Sequence, residues 1–248
     1  MSRLAATEVG LTRDGATLLS GLSISFEAGE TVAIVGPNGA GKSLFLKLLA
    51  GIERPTSGGI LLGGRTMSAY SARERARYVG YVPQHFQPHW DLTVADLLQL
   101  GAERTGTLSP GMAKAALEDA GLTSLQNRRW SALSGGERAR TLLAAVLIAR
   151  PPIVLADEPA ASLDVRHRIE TCKTLTAQRN DRLTIVVLHD LDLAFKFFDR
   201  VVLVEGGRVV ADAPAGVAAY DEAFDRAFGI AFQRLAEADG IRLQPVLR

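Results

Sequence analysis

The chain has 248 residues, enough to bury a sizeable core, and its 47% apolar and 22% charged residues are typical of an ordinary globular protein. The formal net charge is only +1 and both signs are interspersed, so no nucleic-acid partner is expected. The single cysteine, Cys172, excludes an internal disulfide and is expected to be a packing residue. No signal-peptide pattern is seen, and the longest apolar run (142–149) is far below the ~20 residues that span a bilayer. The chain is therefore not expected to cross a membrane by itself.

Short strand-like runs alternate with helical patterns along the chain. The first 30 residues are predicted to form short strands and turns of a small antiparallel layer. TVAIV (31–35) is predicted to be a buried strand that leads through a glycine loop into a helix. Further buried strands are predicted at YVGYVP (78–83), IVLAD (153–157) and LTIVVLHD (183–190), with helices after the last two. This alternation predicts an α/β fold with a mainly parallel sheet covered by helices.

The segment 85–150 has a different character, because strand-like runs fade and helical patterns dominate. Ser109 followed by Pro110 is typical of a helix start. The prediction is one domain over 1–248, in which 1–84 and 151–248 form the α/β core with the antiparallel layer and 85–150 form a helical subdomain. Near the end, VVLVEGGRVVA (201–211) predicts a β-hairpin that turns at Gly206-Gly207.

Residues 36–43, GPNGAGKS, fit the pattern G-x-x-x-x-G-K-[ST] and lie between a predicted strand and a predicted helix, as that pattern requires. Glycines let backbone N–H groups curl around a phosphate, and the following helix directs its positive end there. Lys42 would reach the β- and γ-phosphates, and Ser43 would coordinate Mg²⁺. The loop is therefore predicted to bind a nucleoside triphosphate through Gly36, Pro37, Asn38, Gly39, Ala40, Gly41, Lys42 and Ser43.

Three other predicted strands end in residues that suit phosphate chemistry. Asp157 can hold Mg²⁺, and Glu158 beside it can accept a proton from an attacking water, a role worth about 10²–10⁴ in rate. His189 is well placed to contact a γ-phosphate and polarise that water, and the Gln84 amide would reach the Mg²⁺ or the water. Each residue alone has an ordinary structural explanation, but the P-loop upstream favours the catalytic one.

A strong helical pattern begins with two adjacent glycines in LSGGE (133–137). Ser134 and Glu137 make an S-x-x-E capping box, which places Gly135 and Gly136 in the first turn of the helix. Glycine is less favourable than alanine in a helix interior by about 0.8–1.0 kcal/mol, so bare N–H groups that a bulky anion must approach would explain the choice. The chain already has a P-loop, so this anion would come from another subunit. A simply well-capped helix is the alternative explanation.

Taken together, GPNGAGKS, Gln84, LSGGE, ADEP, ASLD (161–164) and His189 resemble, in order, the motifs of the nucleotide-binding subunits of ABC transporters. The resemblance covers nearly the whole chain and implies a P-loop NTPase core that hydrolyses ATP with Mg²⁺. It also implies a head-to-tail homodimer that sandwiches two ATP molecules. The signature residues Ser134, Gly135, Gly136 and Glu137 would then contact the γ-phosphate bound by the partner's P-loop, and Ser162, Leu163 and Asp164 would link the two sites.

The family further implies two integral-membrane permease subunits, an extracytoplasmic substrate-binding protein and a peripheral location on the cytoplasmic face of the inner membrane. Gln84 would begin the groove that meets the permease, and HFQPHWDLTV (85–94) would be the docking region. Family members carry an aromatic residue that stacks on adenine, but its position falls near Arg13 in this chain. Ala160 and Ala156 are smaller departures from the family pattern.

Two segments, HDLDLAFKFFDRVVLVEGGRVV (189–210) and the tail AFDRAFGIAFQRL, resemble those of the ATPases of importers for iron–siderophore complexes and haem. The ATPases of cobalamin importers are the next most similar group. A soluble ATPase of the same family, acting in iron–sulfur cluster assembly or DNA repair, is the alternative. A P-loop kinase or GTPase would leave LSGGE unexplained.

Overall fold

The computed structural model describes residues 4–104, 110–161, 163–177, 181–237 and 240–246. Its strands are β1 (Leu4–Arg13), β2 (Ala16–Phe26), β3 (Thr31–Val35), β4 (Ser57–Leu62), β5 (Arg65–Thr66), β6 (Val79–Val82), β7 (Ile153–Asp157), β8 (Leu183–Val187), β9 (Arg200–Glu205), β10 (Arg208–Pro214), β11 (Phe232–Glu237) and β12 (Gly240–Pro245). Its α-helices are α1 (Lys42–Leu49), α2 (Ala72–Tyr78), α3 (Val94–Glu103), α4 (Pro110–Asp119), α5 (Gly135–Leu147), α6 (Val165–Thr176), α7 (Leu191–Phe197), α8 (Ala215–Ala218) and α9 (Ala223–Phe228). Short 3₁₀ turns occupy Met67–Ala69, Thr123–Leu125 and Trp130–Ala132.

A six-stranded sheet in the order β10-β9-β3-β8-β7-β6 forms the centre of the fold. All its neighbouring strands pair in parallel except β9 and β10, which form the antiparallel hairpin that Gly206-Gly207 predicted. Strands β3, β7 and β8 are buried at every residue, because both faces of the sheet are covered. The predicted α/β fold with a mainly parallel sheet is therefore confirmed.

A second, antiparallel sheet packs on one face of the central sheet, with strand order β2-β1-β4-β5. Side chains from this layer, from α1 and from alternate residues of β3, β7 and β8 make one continuous hydrophobic core. The first 30 residues were expected to give short strands, but β1 and β2 span 10 and 11 residues. Their pairing has three register shifts, which break the two-residue alternation and make long strands look like short ones in the sequence.

Helices α3, α4 and α5 surround a separate hydrophobic core that includes Leu98, Leu122 and Trp130. At the crossing of α3 and α5, a Cβ on Gly101 would lie 1.9 Å from the carbonyl oxygen of Ala145, so the two helices pack backbone to backbone. The division into a helical subdomain over 85–150 and an α/β core over 1–84 and 151–248 stays a prediction. Helix α4 begins at Pro110, and its predicted cap Ser109 lies outside the described residues.

The opposite face of the central sheet is covered by α6, α7 and the C-terminal segment. This core includes Cys172, which is buried as expected, together with Phe195, Phe224 and Leu243. The hairpin β11–β12 follows α9 and packs against α7, the helix that begins two residues after His189. Among the described residues, no helix has the length and apolar character needed to cross a bilayer.

Candidate active site

The predicted phosphate-binding loop connects the end of β3 to the start of α1. Gly36 has φ +146°, and a Cβ there would lie 2.0 Å from the carbonyl oxygen of Val204, so only glycine allows the loop to leave β3 this close to β9. The nearly buried Lys42 side chain donates through Nζ to the carbonyl oxygens of Gly36 and Pro37, both at 2.8 Å. Burial lowers the pKa of Lys42, and the nearby carboxylates Glu158 and Asp157 oppose that shift. The positive charge is thus held at the loop beside two acidic groups.

Ser43 and Asp157 meet next to this loop. The Ser43 hydroxyl donates to Asp157 Oδ1 at 2.8 Å, and the Tyr81 hydroxyl donates to Oδ2 at 3.5 Å. Asp157 is 2% exposed, and desolvation raises its pKa against the opposing hydrogen bond from Ser43. A hydroxyl and a carboxylate are the oxygen ligands that Mg²⁺ prefers. These two residues therefore fit a magnesium ion that is shared with a bound phosphate.

Glu158 has both carboxylate oxygens engaged by the other predicted catalytic residues. Gln84 donates through Nε2 to Oε2 at 2.6 Å, and His189 Nε2 lies 2.5 Å from Oε1. The backbone of Glu158 has φ +48°, and its N–H donates to the carbonyl oxygen of Val187 at 3.2 Å. Gln84 thus contacts the carboxylate of Glu158 rather than that of Asp157. Its role as a Mg²⁺ ligand stays a prediction.

One cleft of about 460 Å³, a volume in the range of small-molecule sites, brings together the P-loop, Glu158 and His189. Gln84 and Asp157 are not in its lining but contact its residues Glu158 and Ser43. The predicted residues in its lining are Asn38, Gly39, Ala40, Gly41, Lys42, Ser43, Glu158 and His189. Five further residues also line it, and sequence reasoning gave them no site role: Thr17, Leu18, Leu44, Gly206 and Gly207. Tyr81 was missed as well, because its contact with Asp157 depends on β6 lying beside β7, and the sequence does not show that pairing.

The signature residues have the predicted local structure but lie outside this cleft. Ser134 Oγ accepts from the Glu137 N–H at 3.3 Å, and Glu137 Oε2 accepts from the Ser134 N–H at 2.8 Å, so the capping box is confirmed. Gly135, which is exposed, and Gly136, which is half-buried, form the first turn of α5. A Cβ on Gly136 would lie 3.4 Å from a methyl group of Leu163, which places this turn beside the loop before α6.

Asp164 also lies outside the cleft, as the N-cap of α6. Its Oδ1 accepts from the His167 N–H at 2.9 Å, and His167 Nδ1 lies 2.9 Å from both carboxylate oxygens. The backbone hydrogen bond from His167, followed by the contact with its ring, lowers the pKa of Asp164. Ser162, predicted to belong to the same linking loop, lies outside the described residues. Within one chain, Asp164 and the signature therefore face surfaces other than the P-loop cleft.

The structure places Arg13 away from the cleft, although its sequence position corresponds to the aromatic residue expected to stack on adenine. Arg13 Nη2 lies 3.3 Å from both carboxylate oxygens of Glu53, in an exposed ion pair. The cleft is lined instead by Thr17 and Leu18, near the start of β2. This wall could not be read from the sequence, because it depends on an irregular pairing of β1 and β2.

A P-loop between a parallel strand and a helix, with a serine–aspartate pair at the loop and a glutamate–histidine pair in the cleft, defines a P-loop nucleoside triphosphatase. The family model described as ABC transporter matches residues 19–161. The hemin import ATP-binding protein HmuV of Rhodopseudomonas palustris (strain HaA2) is 37% identical, over 96% of this chain and 94% of the relative. The cobalamin import ATP-binding protein BtuD of Halobacterium salinarum (strain ATCC 29341 / DSM 671 / R1) is 37% identical over 82% of this chain and 53% of the relative.

A dimeric ATP-binding cassette solved in a post-hydrolysis state with ADP and Pi has 26% identity and a TM-score of 0.77, covering 86% of this chain and 98% of that one. The chain belongs to the ABC transporter family and is an ATPase of that family. The predicted family, fold class and enzyme class are confirmed.

Proposed function

We propose that this chain is the ATP-hydrolysing subunit of an importer and that the imported solute is haem. The observation that carries the proposal is the single cleft in which Lys42, Ser43, Glu158 and His189 converge, with Asp157 bound to Ser43. The names of two relatives that are 37% and 36% identical over most of this chain, both import ATP-binding proteins for hemin, supply the solute.

The chain's own residues perform most of the work of hydrolysis in this proposal. The backbone N–H groups of 36–43 and the Lys42 ammonium hold the triphosphate, and Ser43 with Asp157 hold Mg²⁺. When bound, Mg²⁺ neutralises developing charge on the phosphate oxygens. Glu158 accepts the proton of the attacking water, and His189, already within 2.5 Å of that carboxylate, orients the water and contacts the γ-phosphate. Gln84 holds the Glu158 carboxylate by donating a hydrogen bond from Nε2 to Oε2 of that carboxylate.

A head-to-tail homodimer completes the site. The glycine turn at the start of α5 carries the first backbone N–H groups of the helix, which lack intrahelical acceptors, and a positive helix end, a combination that suits a phosphate. It does not line its own cleft, so the phosphate it would bind is the one held by the partner's Lys42. Asp164 and its loop, in which Leu163 lies beside that turn, would couple the two sites.

The permease would dock on 85–94, between Gln84 and α3. Within this segment Trp90 is 72% exposed and Phe86 is 37% exposed, and Phe86 stacks edge-on against Trp130. Asp91 fixes the segment by accepting hydrogen bonds from the N–H and hydroxyl of Ser131 at 2.9 and 2.8 Å. Exposed aromatic side chains on a braced segment are typical of interface anchors. Two permease subunits, an extracytoplasmic binding protein and a peripheral position on the inner membrane belong to this proposal.

Growth of the native host on haem as its sole iron source tests the solute. Deletion of the gene should abolish growth and the uptake of isotopically labelled haem, and the wild-type gene should restore both. Lys42→Ala should fail to restore them, since it removes the phosphate-binding cation. Normal haem uptake with a defect in cobalamin uptake would favour the second candidate, which rests on the cobalamin relative. Normal uptake of both would leave an iron–siderophore importer or the soluble alternative.

A further inference from the structure

Two segments outside the P-loop complete the walls of the cleft, Thr17-Leu18 in β2 and Gly206-Gly207 between β9 and β10. Backbone hydrogen bonds fasten them to each other and to the P-loop: the Gly207 N–H donates to Ala40 O at 3.1 Å, and the Ser20 N–H donates to Gly207 O at 2.9 Å. A triphosphate held by Lys42 leaves these segments as the part of the cleft that can receive the base and the sugar.

Leu18 reaches this cleft because of a β-bulge. In the pairing of β1 with β2, Thr12 lies opposite Thr17 and Leu11 lies opposite Leu19, so Leu18 is an extra residue with no partner on β1. An extra residue in one strand re-aims its side chain. Leu19 is 1% exposed and belongs to the core, whereas Leu18 is 36% exposed and lines the cleft.

The hairpin turn fixes the position of Leu18. Gly207 has φ +75°, and a Cβ there would lie 2.4 Å from the carbonyl oxygen of Leu18. Any other residue at this position would push the bulge away from the turn. The position of the apolar wall is therefore set by backbone packing.

Arg13 is directed elsewhere. It lies opposite Ala16, one register position beyond the Thr12–Thr17 pair, and successive residues of a strand point to opposite faces. Thr17 lines the cleft, so Arg13 points away from it, toward the Glu53 carboxylate 3.3 Å from Nη2. Among the described residues that line the cleft, none is a phenylalanine, tyrosine or tryptophan.

We propose that Leu18 is the residue that contacts the nucleobase and that this contact gives the ATPase little selectivity between adenine and guanine. A leucine side chain shields the face of any base from water but has no donor or acceptor to read its edge. The Thr17 hydroxyl beside it both donates and accepts, so it satisfies either purine. This inference rests on the ATP-binding part of the proposed function and is independent of the imported solute.

Equilibrium binding of MgATP and MgGTP to the full chain tests the assignment, by displacement of a ribose-labelled fluorescent ATP analogue. The wild-type Kd values should agree within about threefold, since neither Leu18 nor Thr17 distinguishes the base edges. Leu18→Ala should raise both values by about three- to tenfold, because it uncovers the base face. Leu18→Tyr should lower both values, because a ring offers a larger contact surface. Arg13→Ala and Leu100→Ala, an exposed leucine on α3, should leave both values unchanged.

Two results would overturn the proposal. One is a wild-type preference for ATP over GTP above about tenfold, or ~1.4 kcal/mol, which requires a group that reads the base edge. The other is a loss of ATP affinity in Arg13→Ala equal to or larger than that in Leu18→Ala. Thermal unfolding of each variant identifies any loss of fold, and the gain expected for Leu18→Tyr does not depend on the alanine variant. A folded wild-type chain that bound no nucleotide would overturn the proposed function together with this assignment.

Discussion

Glu158 is held between Gln84 and His189 at 2.6 and 2.5 Å, with only 9% of its side chain exposed. This position suits a general base, because its two oxygens are fixed before substrate arrives. Replacing it with glutamine keeps the shape and removes the basicity. Glu158→Gln should therefore bind MgATP with near wild-type affinity and hydrolyse it about 10²–10⁴ times more slowly. Phosphate release and equilibrium ATP binding, measured on the same preparation, check this prediction.

The exposed Glu170 on α6, paired with Arg166, provides the matched control. Glu170→Gln removes one carboxylate of the same kind away from the cleft, so its turnover should match the wild type. Wild-type turnover in Glu158→Gln would show that another group accepts the proton.

Residues that act through local chain geometry could be predicted from the sequence. The capping box of Ser134 and Glu137 needs only a spacing of three residues, and the hairpin at Gly206-Gly207 needs only two positive φ angles, +53° and +75°. Leu18 and Tyr81 could not be predicted in this way. Leu18 depends on a register shift between two strands, and Tyr81 depends on which strand lies beside β7.

The C-terminal hairpin β11–β12 is fixed to α9 by one carboxylate. Asp225 Oδ1 accepts from the Phe232 N–H at 2.6 Å and from Arg234 Nη1 at 3.0 Å, while Oδ2 pairs with Nη2 of the same arginine. About a fifth of each charged side chain is exposed. The pKa of Asp225 is lowered, chiefly by the hydrogen bonds from Arg234. The ionised carboxylate therefore stabilises the fold.

Asp225→Asn should lower the free energy of unfolding at pH 7 by about 1–3 kcal/mol, since it removes charge-assisted hydrogen bonds. The pKa is lower in the folded than in the unfolded state, so the stabilisation is complete above the unfolded value of about 3.9. It is lost as the pH falls through the folded value. The difference between wild type and Asp225→Asn should therefore shrink at acid pH, as measured by urea unfolding at a series of pH values.

Glu222→Gln is the control for this pair, because Glu222 is 88% exposed and contacts Arg226 only at 3.8 Å. An exposed pair of this kind contributes about 0–1 kcal/mol, so the variant should unfold like the wild type at every pH. A destabilisation of Asp225→Asn that did not change with pH would indicate lost packing and contradict the electrostatic explanation.

At the scale of elements, the buried parallel strands were predictable and the C-terminal hairpin was not. TVAIV, IVLAD and LTIVV are continuous apolar runs, which is the pattern of strands covered on both faces. Strands β11 and β12 carry charged residues such as Arg234, Glu237 and Arg242 and bury few side chains, so they lack that pattern. They are held by ion pairs and by packing against α7, which only the assembled fold brings together.

On the surface of the molecule, Trp90 is an exposed side chain four residues before the start of α3 at Val94. If 85–94 docks on a permease, Trp90→Ala should remove most of the chain from the membrane fraction, because a buried aromatic anchor contributes about 2 kcal/mol or more to an interface. ATP binding by the isolated chain should not change, since Trp90 does not line the cleft. Tyr220→Ala, which removes another exposed aromatic side chain away from 85–94, should leave membrane association intact. Equal effects of both variants would contradict the docking assignment.

The signature residues 134–137 lie outside the cleft of their own chain, so their proposed role can be tested across the dimer interface. Lys42→Ala removes the cation of a P-loop, and Ser134→Asp keeps a good N-cap while directing a negative charge at an approaching phosphate. Each variant alone should form dimers with two damaged sites and little ATPase activity. In a mixed dimer of the two variants, both defects fall on one site if the signature acts across the interface. The other site is then intact.

Mixed dimers can be purified with two different affinity tags, and their ATPase rates separate the two arrangements. Lys42→Ala paired with Ser134→Asp should recover about half of the wild-type rate per dimer, because one of two symmetric sites is complete. A chain carrying both substitutions paired with a wild-type chain should be inactive, since each site then has one defect. If instead each signature served the P-loop of its own chain, the doubly substituted pairing would be the active one. The order of the two rates therefore decides whether the glycine turn of α5 receives a phosphate from the partner subunit.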